Sequence, residues 1–341
     1  MHKEHANAIL LVPKDKFQQK DGNLIMIKYV IKRILLMLMV FLIITSICFI
    51  LVKLLPTTEA QQFGKDQAIV EMRREKLGYN KPIIVQYGIF LQKTLLGGDW
   101  GVSEKLYSGQ DVWDIFLSKL PSTMLVNTYT MLFSVPIGLM LGIYAALKKN
   151  KWQDHAISTG VMIFISVPSY VYAFLVQYLL CFKWQIFPMQ MLPGTDYFTW
   201  KMFVSLVPAM LALGFGTIAG LARYTRAELC EVLTGEYMLL ARTKGLTRGQ
   251  ATVRHALRNS MVPIFPMIMG EFIGIIGGSL VIEKIFGIPG VGPLYINSIT
   301  SLDYNFYMLL SCFYTAVGLF SGLLVDLSYG FVDPRIRMGE K

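Results

Sequence analysis

Charge is scarce in this chain, and so are the side chains that chemistry at a protein site usually requires. Only 16 % of the 341 residues are Asp, Glu, Lys or Arg, against roughly a quarter in soluble globular chains. With 54 % apolar residues and a mean hydropathy of +0.50, this deficit excludes an ordinary water-soluble domain and implies an integral membrane protein. Cys48, Cys181, Cys230 and Cys312 stand singly, three of them in or beside apolar segments, so neither a disulfide framework nor a metal site is expected. Two of the four histidines fall within the first five residues, and no His-Glu-x-x-His occurs. Nor does any glycine-rich loop end in Gly-Lys-Ser or Gly-Lys-Thr. The chain itself is therefore expected to bind no ATP, Mg or other cofactor.

What is present is a succession of apolar runs, at 34–52, 120–147, 157–182, 203–221, 261–282 and 306–329. With its flanks each is long enough to cross ~30 Å of hydrocarbon as a helix, which predicts an all-α membrane domain of six spans. No small-x-small cleavage site follows the first run, so it reads as a retained span rather than a signal peptide. Pro136 and Pro168 are expected to kink their spans toward the bundle interior, where freed carbonyls can be satisfied. Gly214, Gly216 and Gly220 in the fourth run, and Gly270, Gly274, Gly277 and Gly278 in the fifth, predict close helix approach. Residues 56–119 are too long and polar for a connector, and read as a packed external region or a contact for delivered substrate. Between the last two spans, Glu283-Lys-Ile-Phe-Gly-Ile-Pro-Gly-Val-Gly-Pro-Leu packs three glycines and two prolines into twelve residues. That density predicts a shaped turn rather than a helix.

The polar stretch 234–260 separates the fourth and fifth runs. Thr234 can cap a short helix with Glu236 in its first turn, Arg242 and Lys244 in its last, and Gly245 as a left-handed stop. Thr247 and Gln250 have capping-box spacing and open a second helix bearing Arg248, Arg254, His255 and Arg258. A helix-turn-helix with this many basic residues is also a nucleic-acid pattern, but bilayer-length runs on both sides exclude that partner. The paired capping chemistry predicts a folded docking element for a cytoplasmic partner. Summed over alternating loops, the side that includes this stretch carries 20 basic and 9 acidic residues, and the opposite side 12 and 11. The positive-inside rule then places both termini in the cytoplasm, with lipid around the spans. Glu271 and Asp326 are the acids expected within spans, and intramembrane carboxylates are candidate functional groups. Asp326, near a cytoplasmic end, is expected to pair with a basic loop residue, and Glu271 either packs or lines a cavity.

Several motifs in order carry a resemblance. Met26-Ile-Lys-Tyr-Val-Ile-Lys-Arg-Ile, Leu77-Gly-Tyr-Asn-Lys-Pro, Gly98-Asp-Trp-Gly-Val-Ser and the Asp333-Pro-Arg-Ile-Arg tail resemble the permease subunits of binding-protein-dependent ABC importers. Aligned on Gly245, the loop matches that family's coupling loop at Ala241 and Leu257. Its Ala-Arg-x-Lys-Gly-Leu and Arg-His-Ala-Leu-Arg-Asn are similar to the oligopeptide, dipeptide and nickel branch, B-type oligopeptide permeases in particular. Glu283, Phe286, Pro289, Gly290 and Gly292 fit the family's Glu-x-x-Phe-x-x-Pro-Gly-x-Gly signature.

The resemblance implies a type I ABC importer permease-like bundle in a bacterial or archaeal cell membrane. It spans 26–338, with an external region at 56–119 and a coupling loop at 234–260, behind a polar extension at 1–25 expected to be dispensable. It further implies a second homologous permease chain, two cytoplasmic ATPases that hold ATP and Mg, and an extracellular or periplasmic binding protein. Coupling would run through Glu236, Ala241, Lys244, Gly245, Arg254, His255, Leu257 and Arg258. Oligopeptide is the expected cargo and nickel or a metal chelate the alternative. An ion-coupled carrier would need more titratable groups at the midplane and repeated halves. An enzyme would need a nucleophile, base and metal constellation that the sequence lacks.

Overall fold

The computed structural model describes residues 14–54, 80–194 and 196–332, and among them the secondary structure is helical apart from one isolated bridge between Val102 and Asp111. The helices are α1 (Lys14–Leu54), α2 (Ile83–Leu91), α3 (Val112–Leu147), α4 (Trp152–Ser166), α5 (Ser169–Val176), α6 (Trp200–Thr234), α7 (Glu236–Thr243), α8 (Arg248–Ala251), α9 (Leu257–Gly277), α10 (Leu280–Ile285), α11 (Val291–Thr300) and α12 (Tyr304–Val332). Wider π turns extend α2 to Leu96 and α5 to Lys183, and join α8 to α9. Among the described residues five helical segments are long and apolar enough to cross a membrane, and α4 with α5 makes a sixth, broken one bent by 102°. Each of the six apolar runs thus became helix. The Asp333 tail lies outside the described residues.

Packing starts from α3 and α6, which lie along one another. A Cβ added at Gly138 would meet Leu221 Cβ at 2.9 Å and the Ile218 carbonyl oxygen at 3.0 Å, and one at Gly142 would meet Thr225 Cβ at 2.6 Å. These two glycines form Gly-x-x-x-Gly, a spacing that lets helix backbones approach in lipid; among the glycines expected to do so, Gly278 also approaches closely, where an added Cβ would lie 2.5 Å from Thr123 Cγ2. An added Cβ at Gly214 comes no closer than 3.5 Å to anything, at Gly270 and Gly277 no closer than 3.8 Å to α12, and at Gly220 and Gly274 it meets nothing within 4 Å. The remaining core joins α3 and α6 to α5 and α10 through Val126, Ala173, Leu206, Ile282 and Phe286. A second core holds α3, α11 and α12 together through Val112, Phe116, Leu294 and Phe306.

The two prolines behave differently from one another and from expectation. Before Pro168, Val167 is extended (φ −89°, ψ 128°), since a proline's ring clashes with a helical predecessor, and α4 ends there. Pro136 sits within an unbroken α3, where Ser134 and Gly138 on its flanks are buried and packing holds the helix through the lost hydrogen bond. Both prolines are exposed at the surface of the chain rather than turned inward. The broken pair is fastened at its start by Asp154, which is 1 % exposed and takes a two-pronged hydrogen bond from Arg226 of α6, with Nη2 at 2.8 Å from Oδ2 and Nε on Oδ1. Such fork geometry is the strongest form of carboxylate pairing.

Gly142→Leu is the substitution this packing tolerates least, because its neighbours include backbone. We expect overpacking to cost about 1–3 kcal/mol, read as a lower melting temperature of the purified protein in detergent. Gly220→Ala, facing open space, is expected to melt like the wild type.

Candidate functional site

The chain alternates direction at each span, so the α3–α4 and α6–α9 connections share one end of the bundle and segments 80–111, 184–199 and 286–303 the other. At the first end, Gly235 stops α6 and caps α7 without a side-chain bond. Thr234 therefore belongs to α6, its hydroxyl bonded back to the Cys230 and Glu231 carbonyls at 3.3 and 2.9 Å, and is not the cap expected. Thr247 and Gln250 do form a reciprocal capping box at 3.3 and 3.1 Å, and Gly245 is left-handed at φ +89°. Met238 and Ala241 of α7 bury against Ala146, Leu229, Ala251 and Ala256, with Leu257 packed alongside. Glu236, Lys244, Arg254, His255 and Arg258 are exposed. Sequence reasoning missed an apolar strip between them, Tyr237, Leu239, Leu240 and Val253, which are 40, 66, 55 and 64 % exposed. Its signal was available: Leu239 and Leu240 are apolar residues on the face of α7 opposite Met238 and Ala241.

At the other end the signature expected to be a surface turn is a buried joint. Its flanks are helical, α10 through Ile285 and α11 from Val291, with only 286–290 forming the turn. Glu283 is 0 % exposed. Its Oε1 accepts from the Ser279 amide at 3.2 Å, and its Oε2 from the Gly292 amide and the Thr123 hydroxyl, each at 3.1 Å. Thr123 Oγ1 in turn accepts from the Val291 amide at 2.9 Å. The carboxyl thereby ties α3, α10 and α11 to one point. A Cβ at Gly278, Gly290 or Gly292 would strike the Glu283 carboxyl, with Thr123 or the α10 backbone also in the way, which is why this signature needs glycine there. Phe286 is buried in the core, and Pro289 is exposed. A comparable anchor went unpredicted: Asp303, 0 % exposed, accepts from Ser103 Oγ at 2.6 Å and the Lys105 and Leu106 amides at 3.0 and 3.1 Å. It fixes the 99–111 loop onto the start of α12.

Between these ends lies a cavity of about 350 Å³ walled by α5, α6, α9 and α10. Glu271 lines it and accepts from Thr217 Oγ1 at 3.3 Å. Asp326 lies elsewhere, on α12, with Oδ2 3.0 Å from Arg33 Nη1 of α1. Pairing with a basic loop residue was expected, and the partner lies instead on the first helix. Among the described residues no group of three or more His, Cys, Asp or Glu is placed to hold a metal ion.

A family model described as "Binding-protein-dependent transport system inner membrane component" matches residues 138–338, and its N-terminal companion matches 26–127. The chain belongs to this family. It is a multi-pass membrane permease subunit, a transport component of a family that works with ATPase and substrate-binding partners. Among its relatives, the dipeptide transport system permease protein DppB of Bacillus subtilis (strain 168) is 33 % identical over 93 % of this chain and 100 % of that protein. DppB of Lactococcus lactis subsp. cremoris (strain MG1363) is 31 % identical over 92 % and 100 %. The glutathione transport system permease protein GsiC of Escherichia coli (strain K12) is 30 % identical over 92 % and 99 %.

Removing the Glu283 carboxyl leaves the buried Gly292 amide, the part-buried Ser279 amide and the Thr123 hydroxyl short of partners. Each unsatisfied group costs about 1–3 kcal/mol, so Glu283→Ala is expected to lower the melting temperature of the permease sharply. Glu283→Gln keeps one acceptor oxygen and should recover part of the loss.

Proposed function

We propose that this permease is the translocating subunit of an ATP-driven importer of oligopeptides. The observation that carries this reading is the whole-length similarity to permeases named for dipeptide and glutathione transport. The interior supports it: a cavity, a broken span and glycines without side-chain neighbours suit a varied, flexible cargo better than a fixed ion site. A metal-ion path needs converging His, Cys or carboxylate ligands. We further infer a complex of this chain with one homologous permease chain, two cytoplasmic ATPases holding ATP and Mg, and an external binding protein. The basic excess on the α7–α8 side argues for both termini in the cytoplasm.

The α7–α8 pair is the proposed ATPase contact. Its apolar strip supplies burial, Glu236, Lys244, Arg254, His255 and Arg258 supply a polar rim, and Ala241 and Leu257 seat the pair on the ends of α3 and α6. Gly245 sets the angle between the two helices. Because an added Cβ there meets nothing within 4 Å, substitution acts through the backbone alone.

The test is uptake by the reconstituted complex in liposomes with radiolabelled tripeptide, and with nickel as competitor cargo. ATP-dependent peptide accumulation is expected. Nickel uptake without peptide uptake would overturn the cargo assignment. In the same preparation Gly245→Val, which forces a β-branched residue into a left-handed conformation at a cost of roughly 1–2 kcal/mol, should weaken ATPase pull-down or uncouple hydrolysis from uptake. Gly245→Ala should be milder, and normal coupling in the valine variant would remove this loop from the mechanism.

A further inference from the structure

Three of the acidic side chains on the helices of the bundle are fully engaged. Asp154 holds Arg226, Asp326 faces Arg33, and Glu283 accepts three hydrogen bonds in a sealed joint. Glu271 is different. It is partly accessible, it lines the cavity, and among the described residues its partner is a single neutral hydroxyl, that of Thr217, with no basic side chain in ion-pair range. A carboxylate carried at such a depth costs at least ~2.5 kcal/mol unless something compensates it.

The cavity wall indicates what compensates. Besides Glu271 it presents Ser169, Tyr172, Thr217 and Ser279, and among the described residues no Lys, Arg or His lines it. These are hydroxyl oxygens in the wall that Glu271 shares, able to accept from the N–H donors of a cation. The space is also kept open by sequence. Gly220 and Gly216 line it, and an added Cβ would meet nothing at the first and only the Tyr172 hydroxyl, at 3.5 Å, at the second. These glycines contribute no tight helix packing, unlike Gly138 and Gly142, and what they preserve is room next to Glu271.

We propose that Glu271 receives a primary ammonium group of the cargo in transit, the free α-amino end of a peptide, with the surrounding hydroxyls taking its remaining N–H donors. The proposal rests on the peptide-import reading above. An ammonium carries three donors and one charge, matching one carboxylate and neighbouring hydroxyls. A lysine side chain on the cargo presents the same chemistry, so the test separates the two sources. The site would favour passage of peptides with an unblocked amino end without fixing the rest of the sequence, since the other lining residues are apolar or small.

Two measurements on the complete reconstituted complex test it. In the first, wild type and Glu271→Gln are compared for uptake of a lysine-free tripeptide, its N-acetylated form, and an N-acetylated tripeptide containing lysine, each preloaded at saturation on the binding protein. The lysine-free unblocked peptide should lose transport on the order of tenfold in Glu271→Gln, the scale of one hydrogen bond to a charged group, while its acetylated form is carried equally by both proteins. A matching loss for the acetylated lysine peptide would widen the ligand to any primary ammonium. Equal loss for all three peptides, or none for the unblocked one, overturns the proposal. In the second, labelling of Glu271 by dicyclohexylcarbodiimide is followed by peptide mass spectrometry, with propylammonium or tetramethylammonium chloride as protectant. Selective protection by propylammonium supports the site, and its absence overturns it. Absence of peptide uptake by the wild type would overturn the cargo reading alone, because the labelling still decides whether Glu271 binds an ammonium.

Discussion

A carboxyl group taken out of water must have its acceptors filled, and Glu283 fills its own by drawing three separate segments together. The Ser279 and Gly292 amides and the Thr123 hydroxyl converge on one side chain that no solvent reaches. The reversal between the last two spans depends on it, because the backbone at Gly278, Gly290 and Gly292 approaches the carboxyl more closely than any Cβ would allow. The placement of α10 depends on it as well. Ile282, on that short helix, is at once a core residue with Val126 and Leu206 and a wall of the cavity. Polar satisfaction at one buried point therefore shapes the interior space some residues away.

Helix association in lipid lacks the hydrophobic drive that operates in water, so it rests on close packing and on buried polar links. The chain uses both. Gly138 and Gly142 bring α3 against α6, and along the same helices Asp154 with Arg226 and Thr123 with Glu283 add specific fastenings near opposite ends. The α1 helix is held more loosely, by Phe49 and Val52 against Met308 and by Arg33 with Asp326, and most of its large apolar residues face outward. An outward apolar face is the expected surface of a helix in a bilayer.

The broken span is the feature with the most consequence for the interior. After the 102° bend at Val167-Pro168, Ser169 and Tyr172 of α5 line the cavity wall. Gln177 then bonds the Ile285 carbonyl at 2.8 Å and so ties the second half of the break to the Glu283 joint. Cavity, break and reversal form one connected unit, and the exposed α7–α8 pair stands at the other end of the same long helices α6 and α9.

The sequence by itself determined what depends on local chemistry. Six apolar runs became helical segments because any bilayer-length apolar run must satisfy its backbone internally, and the Thr247–Gln250 box and the left-handed Gly245 appeared because capping and glycine conformation are set within a few residues. The family was legible for the same reason, since its motifs are contiguous. Tertiary structure alone decided which polar groups meet. Glu283 and Thr123 are 160 residues apart, Asp154 and Arg226 are 72, and no periodicity in a single strand of sequence couples such pairs. It also decided which glycines pack and which leave space, because an absent side chain reads identically in sequence whether a neighbouring backbone or an open cavity takes its place. Glu271 shows the limit most plainly: its charge and place in an apolar run were visible from its neighbours in the chain, but the lack of a basic partner among the described residues and the hydroxyl-bearing wall it shares are properties of four helices at once.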